Sequence, residues 1–111
     1  MSLPFQWDAG NIRHVIDEYP ERGNTTDEIE SLFADHTFVP RPDRMDSWGE
    51  QQYNAIGRSN QNRLLYVVFS VRNNQIRPIS CRQASQKERN HYAQITQKTD
   101  QEGEAENGSR D

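Results

Sequence analysis

Apolar positions recur in two rhythms along the chain. Ile12, Val15, Ile16 and Tyr19 follow i, i+3, i+4, i+7, the stripe of a 3.6-residue turn, and predict an amphipathic helix that Pro20 closes. Before it, Phe5-Gln6-Trp7 alternates apolar and polar and predicts a short strand ending at a helix cap, Asp8. Glu21-Arg22-Gly23-Asn24 reads as a turn. Thr25 and Glu28 then have capping-box spacing ahead of Ile29, Leu32 and Phe33, which predicts a second short helix.

Beyond Asp35 the rhythm changes to two. His36-Thr37-Phe38-Val39 predicts a strand halted by Pro40 and Pro42, and residues 40–49 carry the Pro, Asp, Ser and Gly of a surface loop. Residues 52–58 predict the next strand. The strongest segment is Leu64-Leu65-Tyr66-Val67-Val68-Phe69-Ser70-Val71, bracketed by asparagine-rich turns and therefore a central strand. Residues 75–82 supply another, and short connections favour an antiparallel meander. Ser85-x-x-Glu88 opens a last helix with Glu88, Tyr92 and Ile95 on one face. The expected fold is α+β: two N-terminal helices, an antiparallel sheet of about four strands, and a C-terminal helix. In the central strand Leu65, Val67, Phe69 and Val71 should face the helices, and Leu64, Tyr66, Val68 and Ser70 a cleft.

Composition limits how much core there is. Of 111 residues 32% are hydrophobic and 27% charged, and mean hydropathy is −1.12, so the apolar residues must be concentrated in one place. One domain is expected over residues 1–98, and residues 99–111, acidic and with almost nothing to bury, should form a disordered tail. No window resembles a membrane helix and the first residues lack a signal-peptide layout, which predicts a cytoplasmic protein with no membrane contact. A single Cys81 allows no disulfide within the chain, and with three scattered histidines it forms no closed zinc site, so neither metal nor cofactor is expected. Cys81 itself reads as a small buried apolar group.

The formal net charge of −4 conceals three blocks. Residues 1–56 hold 4 Lys/Arg against 11 Asp/Glu, residues 57–98 hold 8 against Glu88 alone, and residues 99–111 hold one base and five acids. An acidic total therefore gives no argument against a polyanion partner, because local sign decides. Six of the eight bases are arginine, the side chain suited to planar phosphate contacts. A charge-mixed solvated surface is the alternative.

With these elements placed, the chain resembles the BrnT toxins, small ribonucleases of type II toxin–antitoxin modules. The pieces match in order: Phe5-x-Trp7-Asp8 with Asn11-Ile12-x-His14; Thr25-x-Asp27-Glu28-Ile29-Glu30-x-Leu32-Phe33; Glu50-x-x-Tyr53-x-x-x-Gly57-Arg58-Ser59; Asn62-Arg63-Leu64-Leu65 with Val67-Val68; Ile76-Arg77-Pro78-Ile79-Ser80-x-Arg82-x-Ala84; and Glu88-x-x-x-Tyr92. Where members commonly carry Lys-His-Gly between the first helices, this chain has Glu21-Arg22-Gly23. The resemblance implies a RelE-like fold and an mRNA-interferase-like endoribonuclease activity. It also implies a BrnA-like ribbon-helix-helix antitoxin in a 2:2 complex, with DNA contacted only through the antitoxin. A non-catalytic nucleic-acid- or antitoxin-binding module of the same fold is the competing expectation.

Cleaving RNA without a metal requires a base for the 2′-hydroxyl, a cation for the phosphorane and an acid for the departing 5′-oxygen. Arg58, Arg77 and Arg82 are the candidate cations. Arg77 and Arg82 are five apart, so an unbroken strand turns them to opposite faces, whereas a bulge or an early strand end lets both reach one cleft. His14 lies about 150° from its helix's apolar centre, at ~100° per residue, and is either an exposed histidine or a base at the cleft rim. Glu88 is a candidate proton carrier, although the capping box alone accounts for it. Lys87, Arg89 and Tyr92 are the expected RNA-binding residues of the last helix, Tyr92 being also placed to pack with Ile95. Trp48, in the loop, is free to stack on a base, worth about 1 to 3 kcal/mol. Trp7 should pack under the first helix. His91 shares a helix face with Lys87, and His36 is structural.

Overall fold

Asp8 starts the first helix by reciprocal capping: its Oδ1 accepts from the N–H of Gly10 at 2.9 Å and of Asn11 at 3.1 Å, while Asn11 Oδ1 accepts from the Asp8 N–H at 2.8 Å. In the computed structural model, which describes residues 3–46 and 49–106 and side chains as far as residue 97, this helix, α1, runs Ala9–Ile12. It continues as a single wider π-turn over Arg13–Asp17, closed by the Glu18 N–H to the Arg13 carbonyl at 2.9 Å. Val15 is fully buried and Ile16 packs on the same core, so the predicted apolar stripe is the inward face. Gly23, at φ 65°, ends the turn that follows, a left-handed conformation suited to glycine.

Thr25 caps α2, Thr26–Ser31, by accepting the Glu28 N–H at 3.1 Å. The other half of the expected capping box does not form. Glu28 is buried and instead takes Arg63 through Nε at 2.8 Å and Nη2 at 2.7 Å, and the Ser59 hydroxyl at 2.6 Å. A two-pronged guanidinium contact outweighs one backbone N–H, so the glutamate ties α2 to the sheet.

The strand expected at residues 36–39 is replaced by a turn, and the strand begins five residues later, at Arg41, within the expected loop. Asp35 organises the turn, its carbonyl accepting from Phe38 N–H and its Oδ1 from Thr37 N–H, both at 3.0 Å. β1 spans Arg41–Met45 with every residue exposed. Pro42 is tolerated because β1 is an edge strand, where a missing N–H loses no ladder bond. β2 (Gln51–Arg58), β3 (Leu64–Arg72) and β4 (Gln75–Gln83) complete an antiparallel meander in sheet order β1-β2-β3-β4. Of the strand expected at residues 5–7 only one parallel bridge, Phe5 to Ile76, forms. It lies along the outer edge of β4.

The fold is thus α+β, as expected, with the core between α1, α2 and one sheet face. Leu65, Val67 and Phe69 of β3 meet Val15, Ile29, Leu32, Ile76 and Cys81 there. Phe33 stands edge-on to Phe5 at 5.1 Å and to Phe69 at 5.0 Å. Val71, expected in this face, is 39% exposed, next to the end of β3 and the Asn73-Asn74 turn. Trp7 packs against the core and donates its indole N–H to Glu30 at 2.9 Å. Cys81 is buried, and burial pushes its thiol up to about 12.

The opposite face of β2 and β3 carries Ile56, Leu64, Tyr66 and Val68. Leu64 and Ile56 pack with Ala84 and with Tyr92 of α3, Gln86–Glu106. Ser85 and Glu88 cap α3 reciprocally at 3.2 and 2.8 Å, as the sequence predicts. The helix continues past residue 99, where a disordered tail is expected, through Glu106. Gln, Glu and Ala favour helix without needing a buried face.

Candidate functional site

Between α3, the sheet and residues 37–41 lies a cleft of about 450 Å³. Its floor is Asn54, Ile56 and Tyr66, and its helical wall is Lys87, Glu88, His91 and Ile95. Arg82 stands opposite Tyr66 in the β3–β4 ladder, its guanidinium 4.3 Å from the ring centroid. It grips Glu88 with Nη1–Oε1 at 2.9 Å and Nη2–Oε2 at 3.0 Å. Lys87 and His91 are one helical turn apart, and His91 Nε2 meets the guanidinium of Arg41 from β1.

A bulge decides where the β4 arginines point. Val68 pairs with Ser80 but Phe69 pairs with Pro78, leaving Ile79 as the extra residue. Arg82 opposite Tyr66 and Arg77 opposite Ser70 therefore share the face opposite α1 and α2, although they are five residues apart. Arg77 donates to Asp8 Oδ2 at 2.6 Å, and farther along the face Arg72 holds Glu50 at 2.9 and 3.0 Å.

These contacts correct the picture of an open basic block. Arg63, Arg72 and Arg77 are met by Glu28, Glu50 and Asp8, all from the acidic first half. Arg41, Arg58, Lys87 and Arg89, in contrast, have no carboxylate in ion-pair contact among the described residues. Lys87 and Arg41 line the cleft, and Arg58 and Arg89 line a shallower groove beside it with Leu64 and Tyr92. Arg22 and Arg44 are likewise outside the ion pairs of the described residues, and the start of α3 gathers four of these uncompensated cations.

Protonation follows from these neighbours. Burial pushes the Glu88 carboxyl up, but Arg82 and the Ser85 N–H outweigh it and hold the group below the usual glutamate range. Burial pushes the Tyr66 phenol up. At neutral pH the cleft therefore presents an ionised acceptor, a protonated hydroxyl and guanidinium groups. Together these can accept a proton, donate one and neutralise a phosphate.

Of the residues expected from sequence, the structure brings Glu88, Lys87 and Tyr92 to the cleft lining, sets Arg82 behind it through Glu88 and the Tyr66 ring, and places Arg58 and Arg89 in the neighbouring groove. Tyr92 is largely buried, its hydroxyl donating to Asp35 Oδ2 at 2.8 Å, where the Arg58 N–H also donates at 2.6 Å. His14 lies on α1 with its Nδ1 3.2 Å from Glu18 and its ring against Tyr19, away from the cleft. Trp48 lies outside the described residues. Tyr66 faces the cleft as strand alternation predicts and His91 stands there beside Lys87, whereas Asn54 and Arg41 line it without having been singled out. For Asn54 the signal is present, since strand alternation places it on the face of Ile56; Arg41 was hidden in a proline-rich stretch that reads as loop. Arg22, where members of the resembled family carry Lys-His, stacks on Tyr19 at 3.8 Å and donates to the Cys81 carbonyl at 3.0 Å.

No three His, Cys, Asp or Glu side chains gather as metal ligands among the described residues, and no helix there is long and apolar enough to cross a membrane. A family model described as ribonuclease toxin, BrnT, of type II toxin-antitoxin system matches residues 7–88. No curated protein matches the chain.

Proposed function

The chain belongs to the BrnT family of ribonuclease toxins of type II toxin–antitoxin systems, and from that membership we propose that it is a metal-independent endoribonuclease acting in the α3 cleft. The observation that carries this reading is the Arg82–Glu88 pair, a phosphate-binding cation held ready by an ionised carboxylate. An RNA phosphate entering the cleft replaces Glu88 on Arg82. The freed carboxylate accepts the 2′-hydroxyl proton, O2′ bonds to phosphorus, and the P–O5′ bond breaks to give a 2′,3′-cyclic phosphate and a 5′-hydroxyl. Arg82 stabilises the charge that develops on the phosphorane, and His91 or Tyr66 delivers the proton to O5′. Arg58, Lys87 and Arg89 hold flanking phosphates. Arg77, on the same face beyond the bulge, contacts the strand farther along once it leaves Asp8. His14 has no step in this scheme.

Neutralisation by a BrnA-like ribbon-helix-helix antitoxin, in a 2:2 assembly that reaches DNA through the antitoxin alone, completes the proposal. An acidic or amphipathic antitoxin segment laid over Arg58, Lys87 and Arg89 would exclude RNA directly. The test is cleavage of RNA by purified protein in EDTA, with product ends analysed. Cyclic phosphate ends and a loss of at least a hundredfold in Arg82→Ala are expected. No cleavage, with antitoxin binding intact, would select the non-catalytic module.

A further inference from the structure

The cleft is larger than a phosphate requires and most of its floor is not charged. Its volume of about 450 Å³ is toward the small end of ligand pockets, roughly 300 to 1,000 Å³. Ile56, Val39 and Ile95 give it an apolar lining, and Tyr66 an aromatic one. On that floor Asn54 presents a carboxamide that no hydrogen bond engages among the described residues. Its backbone is fixed on both sides, by Arg41 of β1 and Val68 of β3. A rigidly placed amide with a donor and an acceptor, set in an apolar recess next to Lys87 and Arg41, has the features of a site that reads the edge of a planar heterocycle carrying a phosphate.

Resting on the ribonuclease reading above, we propose that this recess holds one unpaired nucleobase beside the scissile phosphate, and that Asn54 selects adenine. Asparagine pairs with adenine through two hydrogen bonds, to one N–H and one ring nitrogen. The apolar lining takes the base plane, while Lys87 and Arg41 hold the phosphate attached to it. An unpaired base is required because a duplex keeps its bases stacked and its edges occupied. Asn54 is thus a specificity residue and takes no part in proton transfer.

The experiment uses the full chain and four uncleavable 2′-O-methyl tetranucleotides that differ at one central position. Binding is measured by fluorescence anisotropy, and cleavage sites are mapped in parallel on a mixed-sequence RNA. The parent chain should bind the adenine-containing probe about tenfold more tightly than the others, within the range a two-bond side chain–base contact provides. Asn54→Ala should level the four affinities while cleavage continues with cyclic phosphate ends at a less selective set of sites. Asn54→Asp, which only accepts, should shift preference toward cytosine. An unchanged ranking and unchanged cut sites in Asn54→Ala would overturn the assignment of Asn54 and leave the ribonuclease reading standing. Absence of both RNA binding and cleavage in the parent would overturn the two together. An antitoxin peptide that occupies the cleft while probe affinity stays the same would also overturn it.

Discussion

Arg82 and Glu88 restrain each other, and separating them should separate binding from turnover. Glu88→Gln removes the charge that competes with phosphate for Arg82 but also the proton acceptor. RNA affinity should therefore rise severalfold while the cleavage rate falls at least a hundredfold, within the range for a lost general base; single-turnover kinetics beside an anisotropy titration would check this. At Glu28 the same chemistry serves the fold. The carboxylate is buried, and the Arg63 hydrogen bonds hold its pKa below the usual value despite the opposing effect of burial. Glu28→Gln leaves Arg63 partly buried without its counter-charge, at a cost of about 3 kcal/mol, so a drop in Tm of roughly ten degrees or more is expected from thermal unfolding. Because the folded pKa lies below the unfolded one, this contribution is fully present above about pH 4.5, the ordinary value, and is lost as pH falls through the depressed folded value. The parent should therefore show a steep acid limb in a Tm-against-pH curve, and Glu28→Gln a shallower one. Nothing in the spacing Thr25-x-x-Glu28 announces this role: a capping box and a long-range ion pair use the same glutamate, and only the tertiary position of Arg63 decides between them.

Among the elements, periodicity was informative where one face is buried and silent where neither is. β3 and the inward stripe of α1 were legible because burial enforces their rhythm, with Leu65, Val67 and Val15 fully buried. β1 was not, since all of its residues are exposed and its pairing with β2 leaves no trace in hydrophobicity. The site was legible to the same extent: Arg82, Glu88 and Lys87 are local to one turn and one cap, whereas Arg41 and Asn54 join them only through the sheet. The common orientation of Arg77 and Arg82 depends on Ile79, an apolar residue that looks like any other in a strand. Gly57 shows how closely β2 passes the helical layer: a Cβ there would lie 2.8 Å from the Phe38 ring and 3.3 Å from the Leu32 carbonyl. Gly57→Ala should destabilise by about 1 to 3 kcal/mol through overpacking. It should also reduce cleavage, because Arg58 follows directly in the strand; chemical denaturation and the RNA assay would register the two effects.

For the whole molecule, the charge that matters is what remains after folding. With Arg63, Arg72, Arg77 and Arg82 already paired, the unpaired cations of the cleft and its groove, placed to displace counterions from RNA, are Arg41, Arg58, Lys87 and Arg89. Single strands give a slope of about −0.7 per phosphate neutralised, so log affinity against log salt should fall with a slope of about −3, not the roughly −6 that the eight bases of residues 57–98 would give if all were open. Anisotropy between 50 and 300 mM salt measures it.

The cross-chain pairing also bears on synthesis. Asp8, Glu28 and Glu50 leave the ribosome before Arg77, Arg63 and Arg72, and the edge of β4 that receives Phe5 is among the last parts of the sheet to be made. An unfinished chain therefore carries the acids without the bases and has no β4 ladder to close the core against α1. Contacts this distant in sequence favour late, concerted folding. A cell making this protein meets the assembled cleft only after β4 and the first turns of α3 have emerged, which leaves the interval of their translation for a partner to be on hand before the site exists.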